Sequence, residues 1–227
     1  MSVVRHEPGL DPGVLRAQRA EDVVVGEVIV RHKLSSRVIH WAVALTFFLC
    51  LFTGLPIWTP VFAWMDAFFG GLSVCRVLHP YFGFAFTLAV AVMFFDWLKD
   101  MRMTKEERSW IGPKLMTRVE EHISETGKYN AGQKLYFFGV ALGAVGTLVS
   151  GLVMFLPDDA PRLLREAAIL LHDVTFIVFA VSVIVHIYLS TAAEPGTFES
   201  MTKGTVTRPW ARFHHPRWFR DLMGRRG

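Results

Sequence analysis

Two imidazoles interrupt the apolar stretch ILLHDVTFIVFAVSVIVHIYL, which runs from Ile169 to Leu189: His172 and His186. An imidazole can ligate a metal, shuttle a proton or hydrogen bond. An ionisable side chain in a run this greasy is functional by default. Fourteen residues of α-helix turn to about 40° short of four full turns and rise about 21 Å. Both rings therefore leave nearly the same helix face at two heights, and each calls for a partner at its own height.

The elements that must position them are long apolar helices. Hydrophobic residues make up 52% of the 227-residue chain and charged residues only 19%, too oily for an ordinary soluble domain. A helix needs about 20 apolar residues to cross a bilayer, and four runs qualify: Val38–Trp58, Val77–Leu98, Leu135–Leu156 and Ala167–Thr191. One such run alone reads as a buried core helix; four in one chain read as membrane spans. Twenty-one of the 24 Lys and Arg lie before the first run, between the second and third, or after the fourth. Only Arg76, Arg162 and Arg165 flank the other two loops. This asymmetry predicts cytoplasmic termini and a cytoplasmic middle loop. Topology and lipid headgroup contact account for the net charge of +4, so nucleic acid need not be invoked.

Four of the nine histidines fall in spans. His40 lies near the inner start of the first, His79 opens the second on the outer side, and the fourth places His172 outer and His186 inner. The depths pair as His79 with His172 and His40 with His186. Two opposed neutral imidazoles in a bundle interior can fill both axial positions of a haem iron. The fourth helix is then a ladder with two rungs. The bland alternative is interfacial hydrogen bonding by histidines near helix ends. Zinc fits less well, because the four nitrogens split into two sites too far apart for one ion. There is no C-x-x-C-H, which argues against covalent haem attachment, and Cys50 and Cys75 suggest no disulfide framework. The expected fold is all-α: an integral membrane four-helix bundle over residues 31–227, with two b-type haems and a cytoplasmic C-terminal tail.

Other segments carry weaker expectations. Residues 1–30 contain no signal-peptide core and are expected to form a solvated extension, with VVVGEVIV as a short strand against a partner the alternative. A short helix is expected around Lys114–Ile123, and TPVFAWMDAFFGGLSVC at the membrane interface. Gly54 and Gly83, and Gly139, Gly143, Gly146 and Gly151 of the third span, allow close approach to a flat macrocycle; for the third span helix packing is the preferred reading. Pro80 frees a carbonyl and bends the start of its helix. ARFHHPRWFRD, Ala211–Asp221, reads first as a membrane-surface anchor or partner contact. Its His214 and His215 could deliver protons, against the commoner reading of solvated loop histidines.

SSRVIHWAVALTFFLCLFTGLPIW, RVLHPYFGF, GKYNAGQK and HHPRWFRD together resemble the gamma subunit, a cytochrome b, of respiratory membrane-bound formate dehydrogenases, over about Arg31 to Asp221. R-x-x-H-W and L-H-P recur in other respiratory cytochromes b; GKYNAGQK, Gly127–Lys134, is the sharper signal and favours formate dehydrogenase over hydrogenase partners. The resemblance implies a four-helix diheme subunit of the bacterial inner membrane. His79 and His172 would ligate the outer haem, and His40 and His186 the inner one. It places a quinone (menaquinone or ubiquinone) beside the inner haem, against Asn130, Gly132 and Gln133. Electrons would arrive from an iron–sulfur beta subunit, and formate oxidation would belong to a molybdenum or tungsten alpha subunit. A helix N-terminus favours the partial negative charge of a quinone oxygen under reduction. The simpler reading makes Asn130 an N-cap and Gln133 a first-turn residue. The rivals to the whole reading are the same subunit serving a hydrogenase or another periplasmic oxidoreductase, and a haem-free membrane anchor or proton-relay transporter.

Overall fold

The computed structural model describes residues 12–109, 126–155 and 160–224. The helix expected around Lys114–Ile123 lies outside them. Four long helices carry the apolar runs: α2 (Leu34–Trp58), α3 (Leu72–Trp97), α5 (Ala131–Phe155) and α6 (Arg162–Tyr188). A helix of 25 residues, the length of α2 and α5, is about 37 Å long, enough to cross a hydrocarbon core of about 30 Å. Each starts four or five residues before its apolar run. The first-turn N–H groups have no intrahelical partner, so that turn tolerates the polar residues a hydropathy run discards. Pro80 therefore stands inside α3 rather than at its start, and its missing N–H leaves the Arg76 carbonyl without its helical partner.

The backbone divides into two compact units. One comprises residues 39–96 and 138–184, the other the described parts of 1–38, 97–137 and 185–227. In the first, the helices meet through rings. Phe47, Phe86 and Phe179 form a triangle with centroids 5.7 to 6.0 Å apart. A Cβ at Gly143 would come within 2.7 Å of Phe179, so the packing role expected for the third span's glycines holds there. Leu142, Phe95 and Ile184 are exposed, as apolar side chains facing lipid are. Between α2 and α3, a 3-10 helix at Pro60–Phe69, capped by Thr59, exposes Val61, Trp64 and Phe68, in keeping with the interfacial segment expected.

The second unit, the cap, gathers the N-terminal stretch, the middle loop and the C-terminal tail. It contains α1 (Pro12–Ala17), β1 (Val23–Val25), β2 (Val28–Val30), α4 (Lys105–Ser109), α7 (Thr197–Thr202), β3 (Thr205–Thr207), α8 (Arg208–His214) and α9 (Pro216–Gly224). The expected solvated extension is corrected here. VVVGEVIV folds as a hairpin through a two-residue turn, with Gly26 at the positive φ of 53° that such a turn needs. Its second strand pairs with β3, Ile29 opposite Val206, and Val28, Ile29 and Val30 are buried. The tail is corrected too: Trp210, Ala211, Trp218 and Leu222 form a core with Val24 and Ile29.

Candidate functional site

His79 of α3 and His172 of α6 face each other with ring centroids 6.2 Å apart and planes at 68°. Both line an apolar cleft whose walls include Phe47, Leu51, Trp58, Phe84, Phe155 and Phe176. Each ring is held at Nδ1 by a buried hydroxyl: Thr53 Oγ1 of α2 at 3.2 Å from His79, and Ser150 Oγ of α5 at 2.9 Å from His172. A glycine follows each hydroxyl. A Cβ at Gly54 would fall 2.9 Å from His79 Cε1, and one at Gly151 3.6 Å from His172 Cε1. Gly54, read from sequence as room for a macrocycle, thus makes room for an imidazole. The sequence reading does not single out Thr53 or Ser150; both precede a glycine in their spans, but that dipeptide alone names no partner.

The other two span histidines belong to different compact units. His40 stands edge-on to Trp41, centroids 5.3 Å apart. His186, in the cap unit, stacks on Tyr136 with centroids 4.9 Å apart and planes at 12°. Ser190 donates to the His186 carbonyl at 2.8 Å, just where α6 gives way to a π-helical turn, Leu189–Ala193. Tyr136 lies three residues beyond Gln133 on α5, so the two share a face.

GKYNAGQK is the best-connected segment of the cap. Asn130 and Gln133 form a reciprocal capping box: Gln133 N–H donates to Asn130 Oδ1 at 2.8 Å, and Asn130 N–H donates to Gln133 Oε1 at 3.0 Å. The capping reading is thus met. With both amide oxygens so used, the amide NH2 groups are the donors left for a ligand. Gly127 O lies 2.6 Å from His215 Nδ1, and a Cβ on Gly127 would fall 2.7 Å from Arg217 Nη2. Lys128 O accepts from Arg31 Nη2 at 2.7 Å, and Lys128 Nζ reaches Glu21 at 2.7 Å and Asp22 at 3.2 Å. Lys134 is buried against Glu107 at 2.7 Å and donates to Arg102 O at 2.9 Å.

Arg31 itself is buried, with its guanidinium 4.9 to 5.8 Å from the Trp210, Tyr129 and Trp218 rings. Burial pushes its pKa down to about 10, against attraction from Tyr129 and nearby carboxylates. His215 is buried, not solvated; burial first, then Arg31, holds its pKa well below the usual histidine value. Because a neutral ring has one N–H, the contact to the Gly127 carbonyl makes Nδ1 the donor. His214 is also shifted down, chiefly by burial.

Fold and site define a multi-pass helical membrane protein with paired imidazoles in an apolar cleft. The chain belongs to the prokaryotic cytochrome b561 family, which it matches over residues 31–204. It is 31% identical over 201 residues to the nitrate-inducible formate dehydrogenase cytochrome b556(Fdn) subunit of Escherichia coli K12, covering 86% of this chain and 92% of that protein. It is 32% identical to the cytochrome b556(fdo) subunit of the same strain, over 86% of this chain and 94% of that protein. It is 34% identical to the formate dehydrogenase cytochrome b556 subunit of Haemophilus influenzae, over 85% of this chain and 83% of that protein.

The family implies b-type haem, and the residues present fit that group. Among the described residues no cluster of three or more His, Cys, Asp or Glu could grip a bare metal ion. Two opposed imidazoles suit an iron whose other four donors come from a macrocycle. His79 and His172 would hold such an iron between them.

Proposed function

We propose that this chain is the membrane cytochrome b subunit of a formate dehydrogenase complex, carrying electrons from an iron–sulfur subunit through two haems b to a quinone. The observation that carries the reading is His79 facing His172 across an apolar cleft, in a chain similar to such subunits over most of its length. His79 and His172 hold the outer haem, and His40 and His186 are the ligands of the second. Bound haem supplies a one-electron store. The chain supplies ligation, spacing and exclusion of water. The triangle of Phe47, Phe86 and Phe179 keeps the middle of the first unit apolar. Its three members each lie seven residues beyond a histidine: His40, His79 and His172.

The quinone sits against Asn130, Gly132 and Gln133, beside His186. The α5 N-terminus and the two amide NH2 groups donate towards a quinone oxygen as it gains negative charge. Gly132 permits close contact, and the stacked Tyr136–His186 pair lies on the Gln133 side of the helix. The excess of Lys and Arg on one side makes that side, with both termini and the middle loop, cytoplasmic. The protein is then a multi-pass protein of the bacterial inner membrane, and protons for the quinol come from the cytoplasm. Formate oxidation belongs to a molybdenum or tungsten subunit.

The complex purified with its lipids is expected to carry two haems b per copy of this chain, both reduced by formate; one haem or none overturns the reading. Gln133→Glu separates the quinone site from the cap. The carboxylate still accepts the Asn130 N–H, but it cannot donate to a quinone oxygen. Quinol formation is expected to slow at least tenfold with thermal stability kept, and an unchanged rate returns Gln133 to capping alone.

A further inference from the structure

We propose that Thr53 and Ser150 are positioning residues that hold His79 and His172 as the Nδ1–H tautomer, leaving each Nε2 lone pair for iron and setting the potential of the outer haem. This rests on the haem assignment above and adds a pair of hydroxyls that neither histidine's own helix supplies.

Both hydroxyls are buried, 0% and 1% exposed. Each has a single proton, and each has a backbone carbonyl one turn back to take it. Thr53 Oγ1 lies 2.7 Å from Leu49 O and 3.2 Å from Cys50 O. Ser150 Oγ lies 2.7 Å from Gly146 O and 3.2 Å from Thr147 O. A carbonyl can only accept, so these short contacts commit the hydroxyl protons to the backbone. What each hydroxyl then offers its imidazole, at 3.2 Å from His79 Nδ1 and 2.9 Å from His172 Nδ1, is a lone pair. Nδ1 must be the protonated nitrogen, and Nε2 the ligand.

The arrangement repeats on two helices. Thr53–Gly54 on α2 serves His79, and Ser150–Gly151 on α5 serves His172. In each the hydroxyl sets the tautomer; at Gly54 a Cβ would also crowd the ring at 2.9 Å, whereas at Gly151 it would meet His172 only at an ordinary contact distance of 3.6 Å. The repeat gives α5, which carries no histidine, a part in the site. An Nδ1–H donated to an acceptor makes imidazole a stronger donor to its metal, which favours ferric over ferrous iron and lowers the potential.

The test is a redox titration of the purified complex, followed by haem absorbance and by the ferric low-spin resonance signal. Thr53→Val and Ser150→Ala remove the hydroxyls. Each is expected to raise the midpoint of one haem only and to speed loss of that haem to an external haem acceptor by about tenfold. Thr53→Ser keeps the hydroxyl and is expected to match the wild type. If Thr53→Val fails to assemble, Ser150→Ala decides the matter at the other ring. Two unmoved midpoints with normal haem retention overturn the inference while leaving the haem assignment intact. An outer haem that survives both His79→Ala and His172→Ala, with Thr53 and Ser150 unchanged, overturns the assignment itself.

Discussion

His79 and His215 make the same kind of bond and live in opposite surroundings. Each is held at Nδ1, one by Thr53 Oγ1 and one by the Gly127 carbonyl. The His79 ring borders an open apolar cleft. The His215 ring is enclosed by Trp210 on one side and the edge of Trp218 on another. The contrast runs through both units. In the unit of residues 39–96 and 138–184, helices meet through aromatic rings, two buried hydroxyls serve the two imidazoles, and others such as Thr46, Thr87 and Thr175 bond back to their own helix. In the cap, a buried cation stands in three rings, a buried Lys–Glu pair is tied to a carbonyl, and two capping boxes close helix starts, Thr104 with Glu107 as well as Asn130 with Gln133. One unit is built around space and the other around the absence of it.

The comparison breaks most sharply at the ligands. His79→Ala or His172→Ala is expected to remove one of two haems while the cap keeps its proteolytic resistance, read by haem content per chain and by limited digestion. Equal loss of cap and haem in either variant would show the two units to be one cooperative body. Lys134→Met attacks the other side. It leaves the buried Glu107 carboxylate beside the Thr104 N–H at 2.9 Å and Arg217 at 3.9 Å, and breaking a buried pair costs up to about 3–5 kcal/mol. The expected outcome is a lower unfolding temperature for the cap with both haem bands retained.

What could be read in advance follows the same division. The four spans and the His79–His172 pair were legible because helical rise and rotation are local properties of a run of residues. Thr53 and Ser150 were not, since a hydroxyl in an apolar helix carries no sign of what lies across from it. The hairpin at Val23–Val30 reads from sequence as solvated chain first and as a short strand only second. Its partner strand, Thr205–Thr207, lies more than 170 residues away, and a valine-rich run alone does not name its partner. Arg31 was counted as a topology charge, yet it sits among rings drawn from the middle loop and the tail. The N-cap reading of Asn130 was open from the start because the S/T/D/N-x-x-E/Q spacing is local.

Arg31→Lys sharpens the cap's side of the contrast. Lysine keeps the charge but loses the planar fork that stacks on Trp210 while donating to the Lys128 carbonyl. Leaving that carbonyl short of its donor costs about 1–3 kcal/mol. Cap proteolysis is expected to quicken with the haem spectrum unmoved. An equally stable variant would mean the rings accept any cation.

The smallest effect expected is a pH dependence confined to the cap. Burial, then Arg31, then His214 hold the His215 pKa well below its ordinary 6.5, so the folded cap binds the neutral ring. A depressed histidine pKa means the unfolded chain binds the proton more readily. Its contribution is therefore present in full above about 6.5, the unfolded value, and is lost as pH falls from there towards the folded pKa, by at most about 1.4 kcal/mol per pH unit. The protonated ring would meet the Arg31 guanidinium and His214 with only the Gly127 carbonyl to favour it. His215→Asn supplies an N–H donor that does not titrate. Digestion of the wild-type cap is expected to quicken between pH 7.5 and 5.5 by more than that of the Asn variant. If the two change in parallel, other groups carry the acid sensitivity and the neutral ring at position 215 contributes only its hydrogen bond.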